Sequence, residues 1–181
     1  MAVITDKFIF IHVPKTGGSS ILGAALSVTP GKKGWQLKHH SGPMHKRMRE
    51  DRFVQRALKS DPRPFVFGFV RHPYDWILSR YRWQGEGRSI PQWLEEDREK
   101  DTYHGRWSWP MSSWLQRVDY IGKLETIEED WAKISKGLGL PSELPHYNKS
   151  PRLGRELICD EAKRLILEVH GEDMERFGYA E

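Results

Sequence analysis

Three short apolar runs are the clearest pattern along the 181-residue chain. They occupy residues 8–13, 64–70 and 120–124, and they are rich in β-branched and aromatic side chains. Continuous runs of this length and composition are typical of strands buried on both faces of a sheet. The sequence therefore predicts three such strands, with a shorter candidate at residues 35–38.

Helical spacing of apolar residues separates these runs. The predicted helices cover residues 21–26, 44–58, 74–83, 128–138 and 160–170, and Ser19 or Ser20 is the expected cap of the first. Alternating strands and helices predict an α/β fold of three layers, with a central parallel sheet flanked by helices in a P-loop-like arrangement. Ligands of such sheets bind at the carboxyl ends of the strands, which is where we expect the site.

Composition narrows the classes of protein. Apolar residues make up 38% of the chain, enough for a core, and the single cysteine excludes a disulfide scaffold. No apolar stretch approaches the roughly 20 residues that span a bilayer. We expect one domain over residues 1–181, located in the cytoplasm and without a membrane partner. The net charge of +4 suits either a small anionic ligand or a nucleic acid.

A glycine turn follows the first predicted strand, with the sequence P-K-T-G-G-S-S at residues 14–20. Glycines allow a tight turn, and the unpaired N–H groups of the next helix attract anions. Lys15 adds a full positive charge. The order differs from a Walker A loop, in which lysine follows the glycines, and no acidic Mg²⁺ ligand is evident, so we predict phosphate binding without a metal. The alternative is an ordinary turn with a surface lysine.

A second motif, F-V-R-H-P-Y-D-W-I-L-S-R-Y, covers residues 69–81. Arg71 stands at a predicted strand end, where its guanidinium can bind a phosphate in a fork. Ser79 follows about two helical turns later and could meet the same phosphate. Alternatively, Arg71 pairs with Asp75 and Ser79 is a surface hydroxyl. His72 is expected to orient Arg71 only indirectly.

Together the two motifs resemble the carbohydrate-modifying sulfotransferases that use 3′-phosphoadenosine 5′-phosphosulfate (PAPS). That family has a P-K-T-G-G-[ST]-S loop and an F-V-R-[HN]-P-x-[DE]-x-x-x-S-x-Y segment. Residues 118–125 resemble its V-D-x-[IV]-G-x-x-E strand, residues 144–150 its L-P-H-x-N-x-S loop, and residues 177–179 its ending. The resemblance runs in order along nearly the whole chain. Golgi members of the family carry an N-terminal anchor that is not found here, so their luminal location does not transfer.

The resemblance implies the roles of the site residues. PAPS would be the sulfuryl donor and 3′,5′-ADP the product. The 5′-phosphosulfate would be held by the glycine turn, namely Pro14, Lys15, Thr16, Gly17, Gly18, Ser19 and Ser20. Arg71 and Ser79 would bind the 3′-phosphate, and Lys15 would follow the bridging oxygen as the bond breaks. Lys149 and Arg152 would add charge over the nucleotide, unless they are solvated surface groups.

A general base must take the proton of the acceptor hydroxyl. Residues 38–41 resemble the family's K-H-x-[ST] segment, which places the base at His39. His40 is the competitor, because one residue of register decides which ring faces the cleft. An imidazole titrates near pH 6.5 and can therefore accept a proton at neutral pH.

The acceptor is expected to be a molecule with a hydroxyl group, such as a carbohydrate. Residues 84–117 are expected to form a helical and loop segment on the acceptor side, in which the densely charged residues 86–106 are predicted to be an exposed helix and loop. Trp107 and Trp109 flank its charged part and could stack on a sugar ring. Trp76, Trp83 and Trp131 are instead expected to pack in the core or between helices.

Three other functions remain open at this point. A small-molecule kinase with a variant phosphate loop would need Mg²⁺ and release ADP. A non-catalytic protein that binds anions or nucleic acids would show a steep salt dependence, although no recognised nucleic-acid motif is present. An inactive sulfotransferase-like protein is disfavoured by the intact motifs.

Overall fold

The computed structural model describes residues 2–27, 52–100, 106–147, 151 and 153–180. Four strands are found among them: β1 (Ala2–Ile4), β2 (Phe8–Ile11), β3 (Phe65–Val70) and β4 (Tyr120–Lys123). The α-helices of this part of the chain are α1 (Gly18–Ser27), α2 (Arg52–Ala57), α3 (Pro73–Gln84), α4 (Ile90–Glu96), α5 (Ile127–Leu138) and α6 (Asp160–Phe177).

The strands form one sheet in the order β1-β2-β3-β4. β2 pairs with β3 in parallel, from Phe8 opposite Phe65 to Ile11 opposite Gly68. β3 pairs with β4 in parallel, with Val70 opposite Lys123 at its end. The carboxyl ends of the three predicted strands therefore share one edge of the sheet, which is where the sequence placed the site.

β1 departs from the predicted all-parallel sheet, because it pairs with β2 in an antiparallel hairpin. The turn between them is closed by Thr5. Its hydroxyl donates to the carbonyl of Phe8 at 2.9 Å and accepts the Phe8 N–H at 2.8 Å. A strand of three residues is too short for its alternation to be recognised in the sequence.

Helices cover both faces of the sheet, which confirms the α/β class and the flanking helices. One face carries the phenylalanines of β2 and β3 and packs on α1 and α5 through Ile21 and Trp131. The other carries the branched residues of the same strands and packs on α3, α4 and α6 through Trp76, Trp93 and Ile166. Alternate side chains of a strand point to opposite faces, so an apolar run fills two layers of core.

Two helix ends differ from the prediction. α1 begins at Gly18, so Ser19 and Ser20 lie inside its first turn and do not precede it. α6 continues to Phe177, well beyond residue 170, and ends at Gly178, which adopts a left-handed conformation. The predicted strand at residues 35–38 and most of the helix predicted at 44–58 lie outside the described residues.

The prediction of an exposed helix and loop at residues 86–106 is wrong for the inner side of α4, and the acceptor-side role of residues 84–117 stays a prediction. Ser89 and Gln92 cap α4 reciprocally, and α4 buries one side. Buried apolar residues then continue along the segment: Ile90, Trp93, Leu94, Trp107, Met111, Trp114 and Leu115. A consecutive run of charged residues, 95–101, separates the two groups of buried residues and made the segment look polar. Among the described residues, every helix is too short or too polar to cross a bilayer.

Candidate active site

The turn after β2 has an unusual backbone. Lys15 has φ of 63° and Gly17 has φ of 83°, both in the left-handed region. A non-glycine residue in that region costs of order 1–3 kcal/mol, and such residues cluster at functional sites. Thr16 is fully buried and donates its hydroxyl to the carbonyl of Val13 at 2.9 Å. Its side chain therefore closes the turn, while the main chain curves into α1.

Glycine is required at the start of α1 by close packing. A Cβ on Gly18 would lie 2.1 Å from the imidazole of His12. A Cβ on Gly17 would lie 2.8 Å from Ile127 and 2.9 Å from Leu124. The first turn of α1 is thereby held against its neighbours, and the carbonyl of Gly17 accepts the N–H groups of Ser20 at 3.0 Å and Ile21 at 3.4 Å.

The two sequence motifs are in direct contact. The indole N–H of Trp76, in the first turns of α3, donates to the carbonyl of Pro14 at 2.7 Å. Trp76 is fully buried, and the guanidinium of Arg80 stacks on its ring at 4.8 Å. α3 is therefore anchored to the glycine turn, so residues of both motifs are held in one place.

Positive charge is concentrated around this contact. Burial lowers the pKa of Lys15, and the charges of Arg71, Arg80 and Arg82 lower it further. We call Lys15, Arg71, Arg80 and Arg82 the cationic cluster. Burial also lowers the pKa of Arg80, yet arginine keeps its charge at neutral pH. Four cations that raise one another's energy create a field that favours a polyanion.

Trp83 lies on the same face of α3 as Ser79, one turn later. The ammonium of Lys15 lies 5.0 Å from the centre of its ring, in a cation–π contact. The ring is 65% exposed, so the prediction that Trp83 packs in the core is wrong. Ser79 is half-buried on α3, one turn before this exposed indole.

Asp75 is not the main partner of Arg71. It is held by Arg155 through two hydrogen bonds of 3.0 Å in a fork. That pair lowers the pKa of the Asp75 carboxyl, although burial opposes it. Arg155 therefore neutralises the acid of the second motif, so Asp75 does not cancel the positive charge of the cationic cluster.

Two residues from the late part of the chain, Tyr147 and Pro151, contact the first motif and the cationic cluster. The N–H of Tyr147 donates to the Ser20 hydroxyl at 3.3 Å, and the Tyr147 ring lies against Gly23 of α1. A guanidinium nitrogen of Arg82 donates to the carbonyl of Pro151. Tyr147 is thus in contact with α1, and Pro151 with the cationic cluster.

Comparison with known proteins agrees with this geometry. The model of the sulfotransferase family matches residues 3–180. The chain belongs to the sulfotransferase family. An uncharacterised protein of Archaeoglobus fulgidus is 32% identical over 85 residues, which make up 44% of this chain and 71% of that protein.

The predicted site residues of this sulfotransferase fall into two groups. Those brought to one edge of the sheet are the glycine turn at residues 14–20, Arg71 and Ser79. His39, His40, Lys149 and Arg152 lie outside the described residues, so their roles stay predictions.

Trp107 does not fit the predicted acceptor contact. It is 2% exposed, and its indole donates to the carbonyl of Leu94 at 2.9 Å. Its ring fills the core between α4 and α6, so it has no face to offer a sugar. Trp109 is half-buried and packs on Trp114, which leaves its role a prediction.

Sequence reasoning missed Arg80, Arg82 and Trp83 as members of the site. The signal was available for Trp83, because it follows Ser79 by four residues and must share its helix face. The same spacing relates Arg80 to Trp76, so their stacking could be foreseen, but the sequence did not indicate that Arg80 is buried beside Lys15. Within the described ranges, no group of three or more His, Cys, Asp and Glu side chains is arranged to hold a metal ion.

Proposed function

We propose that this sulfotransferase moves a sulfuryl group from PAPS to the hydroxyl of an acceptor, with a carbohydrate as the candidate acceptor. The observation that supports the proposal is the cationic cluster, because it joins Lys15 of the first motif to Arg71 of the second. A donor with phosphate groups at both ends of an adenosine needs cations from two separate places in the chain.

The groups at the site suit such a donor. Backbone N–H groups at the start of α1 and the Lys15 ammonium would hold the 5′-phosphosulfate, while Arg71 and Ser79 would hold the 3′-phosphate. The buried Trp76 bond supports this arrangement, because it holds the two motifs together. Lys149 and Arg152 would add charge, since Pro151, from the late part of the chain, lies beside Arg82.

PAPS supplies an activated sulfuryl group whose bond to the bridging phosphate oxygen breaks as the acceptor oxygen attacks in line. Lys15 and the N–H groups of α1 stabilise the negative charge that develops on the leaving phosphate. Lys15 is prepared for this role, because its ammonium is desolvated and repelled by three guanidinium groups. A bound anion would offset both the desolvation and the repulsion of the Lys15 ammonium.

We assign the general base to His39, with His40 as the alternative. The base takes the acceptor's proton while the new sulfur–oxygen bond forms. His39→Ala would then abolish turnover and leave the affinity for 3′,5′-ADP nearly intact, and His40→Ala is the matched control. Full activity in His39→Ala would refute this assignment.

The direct experiment is transfer of labelled sulfate from PAPS to fractions of a cell extract, with the Lys15→Ala variant as the blank. In parallel, 3′,5′-ADP is expected to raise the melting temperature more than ATP with Mg²⁺ does. Stabilisation by ATP with Mg²⁺ alone, with acceptor-dependent release of ADP, would contradict the proposal and favour a kinase.

A further inference from the structure

The C-terminal tail of the described chain is fastened to the second motif. The ring nitrogen Nε2 of His72 lies 2.9 Å from the carbonyl oxygen of Ala180. Its other nitrogen, Nδ1, accepts the N–H of Tyr74 at 3.3 Å and so caps α3. Because Nδ1 accepts, Nε2 carries the proton and donates a hydrogen bond to the Ala180 carbonyl. One neutral imidazole therefore joins the tail to the beginning of the helix.

Glu125, which follows β4, makes a second link between the same parts. Its Oε1 accepts the backbone N–H of His72 at 2.8 Å, and its Oε2 accepts the hydroxyl of Tyr179 at 2.9 Å. The tail is held from the side as well, because the Lys123 ammonium lies 4.6 Å from the centre of the Tyr179 ring.

These links act on the peptide group that joins Arg71 to His72. The N–H accepted by Glu125 belongs to that peptide, so the bond fixes its orientation and hence the direction in which Arg71 leaves the strand. Burial raises the pKa of the Tyr179 hydroxyl, and the Arg71 charge acts in the opposite direction. The Arg71 guanidinium is therefore within electrostatic reach of the tail.

We propose that Glu125, Tyr179 and the main chain at Ala180 are positioning residues for Arg71, so that the C-terminal tail is part of the 3′-phosphate subsite. The proposal rests on the proposed function, since it assumes that Arg71 binds the 3′-phosphate. The tail itself touches no ligand. It lowers the entropy cost of holding the guanidinium in place, and preorganised donors bind an anion more tightly than mobile ones.

Substitution of the Glu125 carboxylate distinguishes positioning from simple electrostatics, because the two predict opposite changes in the affinity for a phosphate. Glu125→Ala removes both hydrogen bonds and one negative charge. Glu125→Gln removes the same charge but keeps an acceptor for His72 and a donor for Tyr179. If the charge alone mattered, both variants would bind a phosphate more tightly. If positioning matters, Glu125→Ala weakens binding and Glu125→Gln does not.

The experiment measures the dissociation constants of 3′,5′-ADP and 5′-AMP by calorimetry in the full-length chain. The difference between the two ligands isolates the 3′-phosphate. We expect Glu125→Ala to weaken 3′,5′-ADP about tenfold and 5′-AMP less than about twofold. Tyr179→Phe should give a smaller loss of the same selectivity. Glu129→Gln, an exposed acid on α5, is the control for net charge and should change neither constant.

Each outcome bears on a different statement. Equal loss for both ligands in Glu125→Ala, with a lowered melting temperature, would mean a purely structural role and overturn the inference. Retained preference for 3′,5′-ADP in Glu125→Ala would overturn it as well. If the unchanged protein itself showed no preference for 3′,5′-ADP over 5′-AMP, the proposed function would fail instead.

Discussion

The indole nitrogen of Trp76 lies 2.7 Å from the carbonyl oxygen of Pro14 and donates a hydrogen bond to it. The two residues are far apart in sequence, and each belongs to one of the two motifs. The bond is buried and sits beneath the cationic cluster. The two motifs are therefore joined by a bond that involves neither Lys15 nor Arg71.

Trp76→Phe should weaken both stability and nucleotide binding. The change keeps a ring beneath Arg80 but leaves the Pro14 carbonyl buried without its donor, at a cost of about 1–3 kcal/mol. Denaturant unfolding measures the stability, and calorimetry with 3′,5′-ADP measures the binding.

Trp131→Phe is the matched control for this change. Trp131 is equally buried and donates to the carbonyl of Pro141 at 2.8 Å, on the opposite face of the sheet. It should lose similar stability and keep its affinity for 3′,5′-ADP. Equal affinities in both variants would show that the Trp76 bond does not organise the site.

Lys15→Met should stabilise the free protein while suppressing function. The pKa of Lys15 is lowered, so the folded state disfavours the ammonium and an uncharged side chain of similar length removes that cost. Melting temperatures at low salt should rise, whereas 3′,5′-ADP binding should weaken by about tenfold or more.

Lys133→Met should change the melting temperature in the opposite direction. The pKa of Lys133 is raised by the nearby Tyr120 and by its bond to Asp130, so its removal should lower the melting temperature without affecting the nucleotide. A lower melting temperature in Lys15→Met as well would contradict the account of a repelled, desolvated ammonium.

Gly18→Ala should destabilise the protein by about 1–3 kcal/mol, because its Cβ would collide with the His12 ring and overpack the start of α1. Binding of 3′,5′-ADP should fall with it, since the displaced N–H groups hold the phosphate in the proposed site. Gly137→Ala is the control: it sits in α5 with open space around it, and alanine should stabilise that helix by about 0.5–1 kcal/mol. A Gly18→Ala protein of normal stability would refute the close contact.

The contribution of His72 to stability should depend on pH. Burial lowers the pKa of His72, and the Arg155 charge acts in the same direction. The unfolded chain then takes up a proton before the folded protein does, so the contribution is complete above about pH 6.5 and is lost as the pH falls toward the folded value. The measurement is the difference in melting temperature between the unchanged protein and His72→Asn from pH 8 to pH 5. A difference that stays constant or grows in acid would be inconsistent with a neutral His72.

The sequence predicted the parts of the fold that depend on local pattern. The apolar runs became β2, β3 and β4, and the helices after them appeared with small shifts of their ends. β1 was missed because it has only three residues and is defined by its partner. The burial of Trp107 depends on how α4 and α6 pack around it, and composition carries no information about that.

The sequence predicted one feature of the site, namely that each motif follows the end of a strand. Lys15 and Arg71 were expected to meet because parallel strands end at one edge. The contribution of Arg80 and the fastening of the tail to His72 were not foreseen. The meeting of Arg80 with Lys15 and the fastening of the tail to His72 both join residues that are distant in sequence, so a local pattern does not indicate them.

The most direct test of the central claim is a crossed measurement of 5′-AMP and 3′-AMP binding in Lys15→Met and Arg71→Met. If the two residues bind opposite ends of one nucleotide, Lys15→Met should weaken 5′-AMP about tenfold and spare 3′-AMP, and Arg71→Met should do the reverse. Both variants should weaken 3′,5′-ADP. Equal losses for both monophosphates in each variant, or no loss in either, would contradict the account.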